Sequence, residues 1–277
     1  MISEQTRNKL TTIAENEQKV YNNGVADGMR TQYDAFWDNI QEGGKRTYYS
    51  SAFYVGPSSS RKKVWTDTIF KPKYDLNVVG SGQNMFYGCG FTNLKEILIK
   101  QGVKLDTSQC TRLQALFGES AVTHIPEISA INADNTYGLH TMCSYAEGLI
   151  SIDKLKLKED GKQEFTNTFN YCRKLQDLVI EGVIGTNFNA QHSPLSVASL
   201  KSIVKHLKSY LGTSSEYAYT LTVKASAWEA LEAAGFTDED LEWIEEVLGI
   251  DKDTWLEFEF AWEETLEVLR WNLVLAS

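Results

Sequence analysis

Apolar positions in the middle of the chain recur on a shared template: a first position, a small residue four later, Leu seven later and an aliphatic ten later. Met142, Ala146, Leu149 and Ile152 fill it, and so do Thr168, Cys172, Leu175 and Leu178, with Ile180 following. Met85, Cys89, Leu94, Ile97 and Ile99 follow it with two extra residues before Leu94. Leu116, Ser120, Val122, Ile125 and Ile128 run one residue short. Leu200 and Ile203 keep only the three-residue step. The copies start at 85, 116, 142 and 168, so the steps are 31, 26 and 26 residues. Each copy reads as a short helical turn (Met85-Phe86-x-x-Cys89 in the first), a bend, and a short strand. One such unit cannot bury its own apolar face, whereas stacked units share a continuous core. The expected fold class is therefore α/β, an irregular solenoid with a short parallel sheet.

Strand alternation assigns faces within that sheet. Ile97, Ile99, Ile152, Leu178 and Ile180 are expected inward. Glu96, Leu98, Ser151, Asp153, Asp177, Val179 and Glu181 are then expected on an open face. Repeat proteins generally recognise partners through such extended faces, so these seven residues are the candidate binding site.

The flanks read differently. In residues 1–44, Leu10, Ile13, Val20, Tyr21, Val25, Met29, Tyr33, Phe36, Trp37 and Ile40 keep a period near 3.6 to 4, and Gly43-Gly44 ends the pattern. A long helix is expected there. Its heptad positions 3, 6, 10, 13, 17 and 20 are Ser, Thr, Leu, Ile, Gln and Val, a seam with polar layers that suits a homo-oligomer, expected as a trimer. Residues 45–80 read as a loop-rich connection and cap, with a turn-forming run at 55–63. The repeats occupy 81–207. Residues 208–277 read as a small acidic α+β unit. There a strand from Tyr219 to Val223 leads to a helix capped by Ser226 and ended by Gly235. A second helix opens on a Thr237–Asp240 capping box. Alternation at Leu256, Phe258, Phe260 and Trp262, and again at Leu269, Trp271, Leu273 and Leu275, predicts two strands.

Charge narrows the partners. The net charge is -10, which opposes a general nucleic-acid binder or docking on anionic lipid, since both need basic surface. From Trp228 to Ser277, 15 acidic residues face Lys252 and Arg270, a net of -13. The rest of the chain is then about +3, so the acidic end is a separate compositional unit. The N-terminus is polar without a secretory pattern, and no apolar run is long enough to span a membrane.

Candidate chemistry is sparse. Cys89, Cys110, Cys143 and Cys172 have neither zinc nor dense disulfide spacing and read as buried free thiols. His124, His140, His192 and His206 have no second ligand at metal spacing. Cys143 with His140 is the nearest thiol–imidazole pair, but Met142 and Tyr145 make that turn look like core. Gly80-Ser81-Gly82 lacks the Lys and Thr of a phosphate-binding loop. The pairs Glu245-Glu246 and Glu263-Glu264 read as solvated faces. No catalytic residue, metal or cofactor is expected.

The turns and their aliphatic followers resemble BspA-type leucine-rich repeats, whose units run roughly M-F-x-x-C-x-x-L-x-x-I, over residues 81–207. This makes the expected solenoid a leucine-rich-repeat one, with the long helix before it and the α+β unit after it. The segments IAENEQKVY (13–21), YDAFWD (33–38), SPLSVASLKSIVKHL (193–207) and YTLTVKASAWEAL (219–231) are similar to those of tail or tail-fibre-associated proteins of prophages in gut Firmicutes. The acidic end, from Asp238 on, departs from that group. The resemblance implies a non-enzymatic virion protein, made in the bacterial cytoplasm without a signal peptide. Its expected partner is a protein or glycan of the host surface, or another tail protein. A bacterial surface adhesin of the same repeat family, and a tail-associated polysaccharide-degrading enzyme, are the alternatives.

Overall fold

The structure, a computed structural model, describes residues 49–55, 65–68, 70–210, 218–248 and 262–277. The chain divides between Arg46 and Thr47, and every described residue belongs to the second unit, Thr47–Ser277. The long helix expected over 1–44, with its trimer seam, lies outside the described residues. So do residues 56–63 of the turn-forming run at 55–63, and so do Leu256, Phe258 and Phe260.

The repeat pattern makes stacked turns. In the first template copy, Asn84, Phe86 and Gly88 donate backbone N–H groups to the carbonyls of Gln114, Leu116 and Gly118. The same three-bond ladder links the second turn to the third (Ala115, Phe117 and Glu119 to His140, Met142 and Ser144). It recurs between the third and fourth (Thr141, Cys143 and Tyr145 to Thr166, Thr168 and Asn170). A further turn precedes them: Ser51, Phe53 and Val55 donate to Gln83, Met85 and Tyr87. Residues 49–55, expected as loop, thus belong to the stack. Phe53, Phe86 and Phe117 stack inside it at 5.5 and 5.4 Å between centroids. The small residues four after each start, Cys89, Ser120, Ala146 and Cys172, are fully buried, because a larger group there would meet the neighbouring turn.

Beyond the turns the copies diverge, and the expected solenoid is not found. The first continues into helix α1 (Leu94–Gln101), the second into two-residue strands β5 (His124–Ile125) and β6 (Ile128–Ser129) around Pro126. Only the third and fourth give full strands, β7 (Ser151–Lys156) and β8 (Asp177–Glu181). Unequal elements cannot propagate one sheet. The described residues instead form an α+β fold with five helices and four separate sheets of two to four strands, all paired in parallel. Strands β1 (Leu76–Asn77) and β3 (Leu105–Asp106) make one sheet; β2 (Gly80–Ser81) and β4 (Cys110–Arg112) make another. β7 carries β5 and β6 on one edge and β8 on the other.

Helix α2 (Val197–Lys205) closes the far edge of β8. Ser199 Oγ accepts from the Leu178 N–H and donates to the Gln176 carbonyl, both at 2.8 Å, and Ser202 Oγ accepts from the Ile180 N–H at 2.9 Å. Helix side chains therefore satisfy backbone groups that a further strand would have used, which protects the edge from intermolecular pairing. This sealing ends the sheet of β5 to β8 at β8.

The last sheet joins β9 (Phe188–Ala190), β10 (Tyr219–Lys224) and β11 (Trp271–Ala276), with β10 in the centre. Strand β10 runs directly into α3 (Ala225–Ala234), so the N-cap position is Lys224 without a side-chain cap bond, not the expected Ser226. Gly235 ends α3 with φ +63°. Helix α4 (Asp238–Leu248) opens on the reciprocal Thr237–Asp240 bonds of a capping box. Trp262, expected in a strand, begins helix α5 (Trp262–Val268). Trp228, Trp262 and Trp271 are all buried.

Asp240 joins α2 to α4. Its carboxylate lies 2.5 Å from Lys201 Nζ and 2.9 Å from Lys205 Nζ, with a side chain only 1% exposed. Burial pushes the carboxyl up, but hydrogen bonds from Lys201, Lys205 and Thr237 outweigh it and hold the pKa at about 2.

Candidate functional site

The expected open face is only partly assembled. Ser151 and Asp177 are register partners across β7 and β8, and Asp153, Asp177, Val179 and Glu181 are exposed. Glu96 is exposed on α1, beside Lys95, whose Nζ lies 2.8 Å from Asp153. Leu98 does not join them: it is buried, while Ile99, expected inward, is 70% exposed. A helical period of 3.6 in place of a strand period of 2 accounts for this exchange. Ile97, Ile152, Leu178 and Ile180 are buried as expected.

The face is also self-neutralised. Lys154 lies 2.8 Å from Glu181, and Lys156 lies 2.9 Å from Glu127 and 3.8 Å from Glu181. The hydrogen bond from Lys154 holds the Glu181 carboxyl below its usual range, and the one to Glu127 raises Lys156. Ser196 Oγ donates to Asp177 at 3.3 Å. Val179 is the exposed apolar group left among them.

A second surface follows from the turns themselves. Each of the four template turns holds two positions in the left-handed region: Asn84 and Gly88, Ala115 and Glu119, Thr141 and Tyr145, Asn167 and Tyr171, with φ between 51° and 71°. Glycine takes such a conformation freely, whereas a side chain there costs about 1–2 kcal/mol. At the second of the two positions the first copy has Gly88, yet Glu119, Tyr145 and Tyr171 follow. Turn stacking brings these side chains into line on the outside of the molecule. Tyr145 stacks on Tyr171 at 4.7 Å, and Tyr171 on His192 at 4.4 Å. Arg173 lies over the Tyr171 ring at 5.3 Å. At the other end Tyr54 stacks on Tyr87 at 5.4 Å, and the Tyr87 hydroxyl donates to Glu119. Tyr54 and Tyr145 are each 45% exposed.

This ridge escapes a reading based on buried positions, although a signal for it exists. Glu119, Tyr145 and Tyr171 recur at the 26-residue step of the template, one residue before the small buried position. A template that records only apolar positions passes over them.

The remaining chemistry is plain. The four cysteines are free and buried. Burial pushes Cys89, Cys110 and Cys143 up and Cys172 to about 12, so all four stay protonated near neutral pH. The His140 ring meets Tyr137 at 6.2 Å, and its Nδ1 lies 3.4 Å from Thr141 Oγ1. Among the described residues no group of three His, Cys, Asp or Glu side chains is placed to hold a metal ion, and no helix is long and apolar enough to cross a membrane. Compared with protein-family models, curated proteins and solved structures, the chain matches none.

Proposed function

We propose that this chain is a non-catalytic recognition protein that engages its partner through the aromatic ridge of its stacked turns. The observation that carries this reading is the retention of tyrosine at two left-handed positions, Tyr145 and Tyr171, where glycine would relieve the backbone. Strain kept at a surface position points to a use for the side chain. Stacking of Tyr145 on Tyr171 returns about 0.5–1.5 kcal/mol, less than the roughly 2–4 kcal/mol that two left-handed side chains cost. The exposed aromatic area is therefore held at a net cost in stability. Aromatic groups beside an arginine are typical anchors of recognition surfaces. The β7–β8 face has paired its own charges and offers less to a partner.

The proposed setting is a phage tail, with a host-surface component or a neighbouring tail protein as partner, on the strength of the sequence resemblance alone. From the heptad pattern alone, the proposed assembly is a trimer through residues 2–40. It is checked by light scattering of the full chain against a chain lacking residues 1–30.

The test of the ridge uses Tyr145→Gly/Tyr171→Gly, which keeps the backbone geometry and removes both rings. Labelled protein is incubated with cell walls of gut Firmicutes. Retention by the wild type, reduced at least tenfold in the variant while its unfolding midpoint is no lower, supports the reading. Retention that ignores the variant, or release of reducing sugar by the protein, sinks it.

A further inference from the structure

A separate depression lies at the amino ends of the last sheet. Two adjoining hollows, about 390 and 610 Å³, share Asn187 and Tyr219. The fourth turn borders the first hollow through Glu164 and Asn167; Thr220 and Asn272 line the second, from β10 and β11. Among the described residues, no lysine, arginine or histidine lines either hollow, and Glu164 is the one carboxylate.

Four carboxamides dominate the lining: Asn167, Asn187, Asn189 and Asn272. Two are held in fixed orientation. Asn187 Oδ1 accepts from the Thr220 N–H at 2.8 Å, and Asn189 Oδ1 accepts from the Gln191 N–H at 3.0 Å. A carbonyl oxygen committed to a backbone donor leaves the amino group of the same carboxamide to donate elsewhere. Asn167 and Asn272 have no side-chain hydrogen bond among the described residues. Asn167 stands in the left-handed region at φ 54°. Between the hollows Tyr219, backed by Trp271 at 6.0 Å and Tyr210 at 5.5 Å, supplies a half-buried ring.

Donors and acceptors are therefore mixed, cationic groups are missing from the described lining, and the Tyr219 ring sits where the hollows meet. An anion would find no charge to pair with, and a greasy ligand would strand the amides without partners. A polyhydroxylated, uncharged ligand matches both: hydroxyls exchange hydrogen bonds with carboxamides, and the C–H face of a pyranose packs on a tyrosine. We infer that this cleft is a binding site for a neutral glycan chain, with one sugar unit in each hollow and Tyr219 between them. The site is built from residues of the fourth turn and the last sheet and is independent of the ridge at Tyr145 and Tyr171.

The experiment titrates the full-length protein with maltohexaose, cellohexaose and chitohexaose, and with a heparin hexasaccharide as the anionic comparison, by calorimetry. The variant is Asn167→Gly/Asn272→Val: glycine tolerates the left-handed backbone and valine suits a strand. Saturable binding of at least one neutral oligosaccharide, weakened tenfold or more in this variant at unchanged unfolding midpoint and retained in Tyr145→Gly/Tyr171→Gly, is expected. No saturable binding of any neutral probe, binding of the heparin probe alone, or affinity indifferent to Asn167→Gly/Asn272→Val overturns the proposal.

Discussion

Replacing Asp240 by Asn removes the one carboxylate that contacts both Lys201 and Lys205, and leaves Glu239, 3.6 Å from Lys205, in place. Lys201 and Lys205 are one helical turn apart on α2, with side chains 16% and 17% exposed, and Asp240 balances both. Asparagine is the neutral isostere of protonated aspartate, so pH linkage gives the magnitude. The carboxyl falls from its ordinary 3.8 to about 2 on folding, which at about 1.4 kcal/mol per pH unit corresponds to about 2 kcal/mol. Breaking a buried ion pair by removing one partner typically costs about 3–5 kcal/mol; the linkage figure is preferred because the variant keeps the shape and part of the Thr237 bonding. The sign follows from the depressed pKa: this contribution is fully present above pH 4, declines as pH falls towards 2, and is lost below that. Urea unfolding followed by fluorescence of the buried tryptophans, repeated from pH 7 to pH 2, should show the variant less stable by about 2 kcal/mol at neutral pH. The gap between the two proteins should close on acidification. A neutral-pH gap under about 0.5 kcal/mol, the range of an ordinary surface substitution, or a gap that stays constant down to pH 2, would refute the reasoning.

Other outcomes follow from the same packing. Gly185→Ala places a Cβ 2.4 Å from the Gly161 carbonyl oxygen and 3.1 Å from the Tyr210 hydroxyl; since backbone cannot yield cheaply, a loss of roughly 2 kcal/mol or more is expected in urea unfolding. Leu178→Ala, at a fully buried site on β8, should cost about 2–5 kcal/mol, and a cost below 1 kcal/mol would mean that the site collapses around the cavity. The four thiols should resist an aromatic disulfide reagent at pH 8 in the native protein and react fully in denaturant, because burial both hides them and raises their pKa values. Rapid native labelling of Cys89, Cys143 or Cys172 would contradict that packing.

Several elements are legible from local pattern alone. The turn starts at 85, 116, 142 and 168, the small buried residue four later, strands β7 and β8, strand β10, and the capping box at Thr237 all show in the spacing of residues a few positions apart, although the bonds that hold the turns and strands run to distant partners. Period and cap chemistry report such spacing directly. Leu98 and Ile99 exchange faces for the same reason: Leu94, Ile97 and Ile99 fit the template, while Asn93 accepting from the Glu96 N–H and the left-handed Gly102 bound a helix instead.

Tertiary structure decided the rest, because partners far apart in sequence compete for the same edges and faces. That the sheet of β5 to β8 stops at β8 turned on Ser199 and Ser202 reaching back to its backbone, which no periodicity records. The alignment of Tyr145, Tyr171 and His192 requires successive turns to stack in register, and only then do three separated rings form one ridge. The cluster of Lys201 and Lys205 with Asp240 is set by how α2 and α4 pack. The cleft at Asn167, Asn187 and Asn272 joins residues up to 105 positions apart (272 minus 167). A sequence lists each of these groups with its neighbours along the chain; burial and hydrogen-bond satisfaction, which act through space, select which of them meet.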